Sequence, residues 1–553
     1  MSESRLVYIL KRLRYFISPP TDIYAPKTPM IIEKDVKIRL RDGILLSVNV
    51  YRPDDSLKHP VVICFHPYDK DQLPKKSLFG RYKPLKAYRF IRQPSPSHFS
   101  SLTGWEAPDP DFWVRNGYAV INGDMRGAGK SEGKLDLLSD TEAQDYYELI
   151  EWAAEQPWSN QKIGLNGVSY LALSQYRVAA LHPPHLAAIC PWEGFSDVYK
   201  DLARPGGIRE DGFYAFWTHM INPELRTQQM QRITRDSWWQ ARVPDLKAIE
   251  VPALICGSFS DQCLHTNGSF RVYEQIQSKH KWLYTHRGGK WSSYYSEEAL
   301  KTQLDFFDFF LKDKSNNWLS TPGVRLEVRE SRDQIHSTSY HNTWPLPDTQ
   351  WLTLYLHPEA QTLSEKNHSD KKNHRDFSLP ENNLQLTFTC PFDLQIVGPM
   401  KLKLWLELAD TQDMNLFAGI RKFHQDEEVY FEGSYGFGFD IVSKGWQKIS
   451  LRKIDEAESV FWKPEHRFEE QQFLKSGEIA LVELSLLPSA TFFKQGDQLR
   501  LELRGKWFFS RNIFLSQLSK YEPSQTGLCR IYGGGDYDSH LLVPMLKPFN
   551  SNS

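Results

Sequence analysis

The chain has 553 residues with 67 Lys+Arg against 68 Asp+Glu and hydrophobic residues at 40%, an ordinary globular composition that argues against disorder. A net charge of -1 leaves no basic footprint for nucleic acid, and no run of about 18 apolar residues is present to span a membrane. Cys64, Cys190, Cys256, Cys263, Cys390 and Cys529 are scattered without a CxxC spacing and read as free thiols of a reducing, cytoplasmic compartment. Residues 1–27 form an arm in which Leu6, Ile9, Leu10, Leu13, Phe16 and Ile17 fall at helical spacing, broken by Lys11, Arg12 and Arg14 and stopped by Pro19 and Pro20. We read it as an amphipathic helix packed on the protein's own body or on another subunit of a homo-oligomer; a basic helix lying on a membrane surface is the alternative.

From residue 31 the pattern is extended: alternation surrounds an Asp42-Gly43 hairpin turn, and 61–66 (VVICFH) reads as a fully buried strand. A second buried strand at 118–124 runs into the Gly-rich DMRGAGKSEG, where Asp124 and Arg126 are expected to pair and brace the loop. A helix over 140–156, the strand KIGLNG, a helix from Ser169 through Ala180 and the strand HLAAIC then predict a parallel α/β sheet. Residues 195–248, charged and Trp-rich, read as a helical cap inserted into this sheet, which resumes at 251–261 and 281–286 and closes with a helix at 297–311. The α/β body is therefore assigned to 28–330. Beyond it, short alternating segments predict an all-β sandwich over 331–553, with 359–377 a solvated loop whose His368 and His374 are poor evidence for a metal. The aromatic excess of 13% is divided between sandwich core or domain contact (Trp351, Tyr355, Trp405, Trp507, Phe508, Phe509) and a pocket.

The chemistry concentrates at Gly167-Val168-Ser169-Tyr170-Leu171-Ala172, between a predicted strand and a helix. A serine on such a turn stands above the sheet, exposed and ready for activation by a histidine; the alternative is a serine that merely caps the helix. Leu171 replaces the second Gly of G-x-S-x-G, and the small residue follows one place later as Ala172. Acid and base should come after later strands, in the order Ser, Asp, His. Asp261 and His286 close two such strands, with His265 the alternative base because it lies close to Asp261. Trp192, Glu193, Phe213 and Trp217 are expected to line a substrate pocket; Glu193 and Asp197 read first as ordinary loop carboxylates, solvated or paired to Arg204 and Arg209, with binding of a substrate ammonium the alternative.

These segments carry a resemblance. RDGILLSVNVYRP at 41–53, HPYDK at 66–70, DMRGAGKSEG at 124–133, EQPWSNQKIGLNGVSY at 155–170 and GSFSDQ at 257–262 are similar to the family of cocaine esterases, α-amino-acid ester hydrolases and X-prolyl dipeptidyl-peptidases. The resemblance covers nearly the whole chain from residue 31. It implies an α/β-hydrolase fold with a helical cap and a C-terminal jelly-roll domain, Ser169 as nucleophile, Asp261 as acid, and an oxyanion hole made by the Tyr68 hydroxyl and the Tyr170 amide. The family's G-P-W-x-H motif, laid without gaps on this chain, puts Lys290 where the histidine belongs. The expectation is a serine hydrolase of small esters or amides, without cofactor or metal, most simply an acyl esterase. An X-prolyl dipeptidyl-peptidase is the alternative, and a catalytically silent binding protein the alternative of another class.

Overall fold

The structure, a computed structural model, describes residues 5–367, 371–433, 438–512 and 517–546. Its body is one sheet of β1 (Met30–Arg39), β2 (Leu45–Pro53), β3 (His59–His66), β4 (Ala119–Asp124), β5 (Ser159–Val168), β6 (Leu186–Trp192), β7 (Ala253–Ser258) and β8 (Lys281–His286). The spatial order is 1-2-4-3-5-6-7-8. The β1–β2 hairpin turns at Asp42-Gly43, β2 pairs antiparallel with β4, and every later pairing in the order is parallel. Strands β3, β4 and β7 are buried along their whole length, which is why they read as continuous apolar runs rather than as alternation.

Helices cover both faces. On one side Leu149 and Ile150, Leu171 and Tyr176, and Phe270 and Val272 join a single core with Ile163 and Leu165 of β5. On the other, Trp113, Phe306 and Phe307 pack with Val168, Trp192, Trp282 and Tyr284. The cap arises between β6 and β7 and carries helices Phe213–Ile221 and Pro223–Gln231.

The C-terminal part is a β-sandwich. Leu402, Leu404 and Leu406 of the strand Leu394–Leu408 and Leu501 and Leu503 of the strand Gln498–Arg504 point into one leucine-rich core. The same alternation turns Trp351, Tyr355 and Trp405 outward, so these three are not core residues. Trp507 instead packs with Phe417, Trp446, Tyr521 and Ile208 at the seam with the body, beside Phe508 and Phe509. The expected loop over 359–377 holds two strands, Thr362–Ser364 and Asn373–Leu379, the second pairing with Gly527–Gly533 while Phe377 and Leu379 face inward. His368 lies outside the described residues. A strand at Val324–Ser331 pairs with β8 and, through Arg329, with the strand Ile479–Phe493, so the two domains share an element where the sequence suggests a boundary.

The seam holds two loops of the body. The Gln262 amide donates to the Val442 carbonyl at 3.0 Å, and the Arg287 guanidinium donates to the carbonyls of Ile441 (2.6 Å) and Val442 (3.2 Å). The N-terminal helix (Arg5–Arg14) packs against the β-domain through its polar side: Tyr8 donates to Glu432 at 2.7 Å and Arg12 pairs with the same carboxylate at 3.0 Å. Its apolar stripe of Leu6, Leu10 and Leu13, with Ile17 just beyond the helix, is exposed, the reverse of what packing on the protein's own body predicts. Among the described residues, no helix is long and apolar enough to cross a membrane.

Candidate active site

Ser169 sits between β5 and the helix Tyr170–Ala179 with φ 61° and ψ −115°, a left-handed conformation that costs a non-glycine residue about 1–3 kcal/mol. Gly167 makes the turn possible: it adopts φ 150°, and a Cβ there would stand 2.4 Å from the Cβ of Leu171. Leu171 thus fills the space over Gly167, while Ala172 packs directly on Gly194, where an added Cβ would come within 3.0 Å of the alanine's own. That accounts for the departure from G-x-S-x-G. Ser169 is half-buried between buried neighbours, and although it holds the N-cap position its side chain makes no capping bond. The hydroxyl goes to His265 Nε2 at 3.1 Å.

His265 comes from the turn that follows β7. The Asp261 carbonyl accepts the N–H groups of Leu264, His265 and Thr266, which folds residues 261–265 into one tight turn and sets the two side chains four residues apart on the same side. His265 Nδ1 is hydrogen-bonded to Asp261 Oδ2, and the Phe195 ring lies parallel to the imidazole at 6.1 Å. Serine, imidazole and carboxylate are therefore in line.

His286 is elsewhere, which corrects the expectation drawn from its strand end. It shares the parity of Trp282 and Tyr284, so its ring turns toward the face of the sheet opposite the elbow helix and stacks on Trp192 at 6.1 Å. Its Nε2 meets Glu193 Oε1 at 3.1 Å, and its Nδ1 accepts the Gly288 N–H at 3.2 Å. Trp192 is likewise fully buried against Tyr284 and Tyr294, and Glu193 is fully buried on His286, so neither lines an open pocket. Of the four expected pocket residues, Trp217 reaches the site: its indole N–H donates to the Tyr68 hydroxyl at 3.3 Å and its ring lies 6.1 Å from that of Tyr170. Phe213 is half-buried at the start of the same cap helix.

The Tyr68 loop is held at several points. Tyr68 N–H donates to His66 Nδ1 at 3.2 Å, while His66 Nε2 bonds Asn122 at 2.6 Å. Asp124 accepts the N–H of Lys70 (2.6 Å) and of Lys130 (3.0 Å); Arg126 pairs instead with Asp42 and Asp145. The expected Asp124–Arg126 brace is therefore replaced by two separate ones, because Asp124 points back to the Tyr68 loop. Tyr170 is the first residue of its helix, so its amide has no helical partner, and its hydroxyl is anchored on Glu142 at 2.6 Å.

Behind the histidine lies a buried charged cluster that sequence reasoning missed. Lys290, fully buried, places Nζ 2.6 Å from Asp261 Oδ2 and 2.8 Å from His265 Nδ1. Burial works against the Asp261 carboxylate, but Lys290 and His265 outweigh it and hold the acid well below its ordinary range. Glu106, on the segment before the helix Pro110–Arg115, is pushed up to about 8 by burial, against the pull of Lys290. Glu193, Asp261 and His265 are close enough to share a cation, as are Glu193, Cys256 and His286. In the first set the lysine ammonium already holds that place; in the second, burial keeps the Cys256 thiol protonated and His286 is committed to Glu193.

Comparison with known proteins agrees with this architecture. Residues 42–229 match the X-Pro dipeptidyl-peptidase (S15 family) model and residues 316–542 that family's C-terminal non-catalytic domain. A CocE/NonD family hydrolase from Staphylococcus aureus is 39% identical, covers 94% of both chains and superposes with a TM-score of 0.89. The cocaine esterase of Rhodococcus sp. (strain MB1 Bresler) is 25% identical over 59% of this chain, a match spanning 62% of that enzyme's length. An α-amino acid ester hydrolase, 16% identical over 94% of this chain and 97% of its own, shares the fold with a TM-score of 0.69. The chain belongs to the CocE/NonD family of serine hydrolases, with the catalytic and C-terminal modules of the X-Pro dipeptidyl-peptidase group.

Proposed function

We propose that the protein is an acyl esterase working through Ser169, His265 and Asp261. The observation that carries this reading is the strained, uncapped Ser169 whose hydroxyl is spent on an imidazole backed by a buried carboxylate. His265 Nε2 takes the hydroxyl proton as Oγ attacks the carbonyl carbon, and the tetrahedral oxyanion is met by the Tyr170 amide and the Tyr68 hydroxyl. The imidazolium then returns the proton to the leaving alcohol, and the C–O bond of the ester breaks. Water, deprotonated by the same nitrogen, releases the acid and restores the serine.

Preference for esters over N-terminal dipeptide amides is supported by Glu193: the carboxylate that would hold a free ammonium is buried and already bonded to His286. The test is a fluorophosphonate probe with a substrate panel. We expect one covalent adduct on folded protein, lost in Ser169→Ala, and turnover of short acyl esters without need of a free amine. No adduct on Ser169 would sink the hydrolase reading in favour of a silent binding protein; turnover confined to X-Pro amides would sink the esterase reading alone. Tyr68→Phe should lower kcat by about a hundredfold to a thousandfold with little change in KM, the signature of a lost oxyanion donor.

A further inference from the structure

The triad does not end at Asp261. Lys290 Nζ, Asp261 Oδ2 and His265 Nδ1 form a triangle with sides of 2.6 and 2.8 Å to the lysine and a hydrogen bond closing the third. An imidazole nitrogen carries either a proton or a lone pair. If Nδ1 accepts from Lys290, the ring's proton sits on Nε2 and the ring cannot take one from Ser169. Catalysis needs the opposite tautomer, with Nδ1–H and the ammonium both donating to the one carboxylate oxygen. In that state two donors, one of them a charged ammonium, stand 2.8 Å apart, and the contact worsens when the ring becomes an imidazolium.

We propose that Lys290 is a positioning residue for the reaction: its ammonium shares the Asp261 carboxylate with His265 and opposes the imidazolium, so that the histidine stays neutral, and the enzyme active, well into mildly acidic solution. The proposal rests on the catalytic reading above. The surroundings agree with it. The groups facing His265 are Ser169 from the elbow, Asp261 from its own turn, Glu193 from the loop after β6 and Lys290 from the short helix after β8, with the Phe195 ring against one face. Burial and then Lys290 lower the basicity of the ring, against Asp261 and Glu193, and the net direction is downward. The lysine itself is kept charged despite burial by Asp261, Glu193 and Glu106.

The experiment is the pH dependence of kcat/KM and of the fluorophosphonate inactivation rate for wild type, Lys290→Arg and Lys290→Met. Wild type should hold its rate below the ordinary imidazole range near pH 6.5, as Lys290→Arg should by keeping a cation. In Lys290→Met the acid limb should move upward by about one unit, a relative loss of roughly tenfold on the acid side. Profiles for Lys290→Met and wild type that superimpose after scaling would overturn the proposal. If Lys290→Met does not fold, the wild-type limb decides, and a limb at or above pH 6.5 is the refuting result. Failure of the underlying reading is distinguishable, because then Ser169→Ala would remain active or wild type would keep its turnover in excess fluorophosphonate without taking up the label.

Discussion

His265→Ala is expected to lose on the order of 10⁴- to 10⁶-fold in kcat, while His286→Gln stays within about tenfold of wild type. The first substitution removes the group bonded to the Ser169 hydroxyl. The second leaves an amide to bond Glu193, at a place where the ring's other neighbours are Trp192 and Ser293 rather than the serine. Steady-state kinetics on a short acyl ester, with circular dichroism to confirm the fold, checks both. The reverse outcome, an inert His286→Gln and an active His265→Ala, would require the turn at 261–265 to be rebuilt in solution.

Asp261→Asn carries the second large effect. An amide keeps the shape of the site but does not enforce the Nδ1–H tautomer, and the expected loss in kcat is about 10⁴-fold. It also removes the counter-charge of the buried Lys290, which should cost about 3–5 kcal/mol of stability, readable as a lower denaturant midpoint. The carboxylate's low proton affinity fixes the pH sense. The pair's contribution is fully present above the unfolded value near pH 4 and is lost as the pH falls through the lower folded value. The midpoints of wild type and Asp261→Asn should therefore converge in acid.

How far the site could be read from the letters depends on what each residue rests on. The elbow was legible because a strand, a tight turn and a helix are local patterns, and Asp261 because it closes a buried strand at the same sheet edge. The histidine was not. Choosing His286 assumed that a strand-end residue points to the edge, whereas its parity with Trp282 and Tyr284 had already assigned its face. His265 depends on three N–H groups converging on one carbonyl, a turn conformation that no periodicity announces. Lys290 left a trace as the residue standing where the family motif has its histidine, yet its contact with Asp261 needed the fold. In the β-domain, alternation gave the strands but not the sheet face on which Trp351 and Trp405 stand, because both faces there carry large apolar side chains.

The seam between the domains bears on how this protein tolerates change. The turns carrying Asp261-Gln262 and Arg287 are tied to main-chain carbonyls of Ile441 and Val442, and Arg287 also reaches the Ser489 and Thr491 hydroxyls. Any residue at 441 or 442 offers the same oxygen, so exchanging letters there leaves both ties in place. Inserting or deleting a single residue would shift the carbonyls out of register and remove these ties from two loops of the candidate site at once. In that stretch, spacing is under tighter constraint than identity.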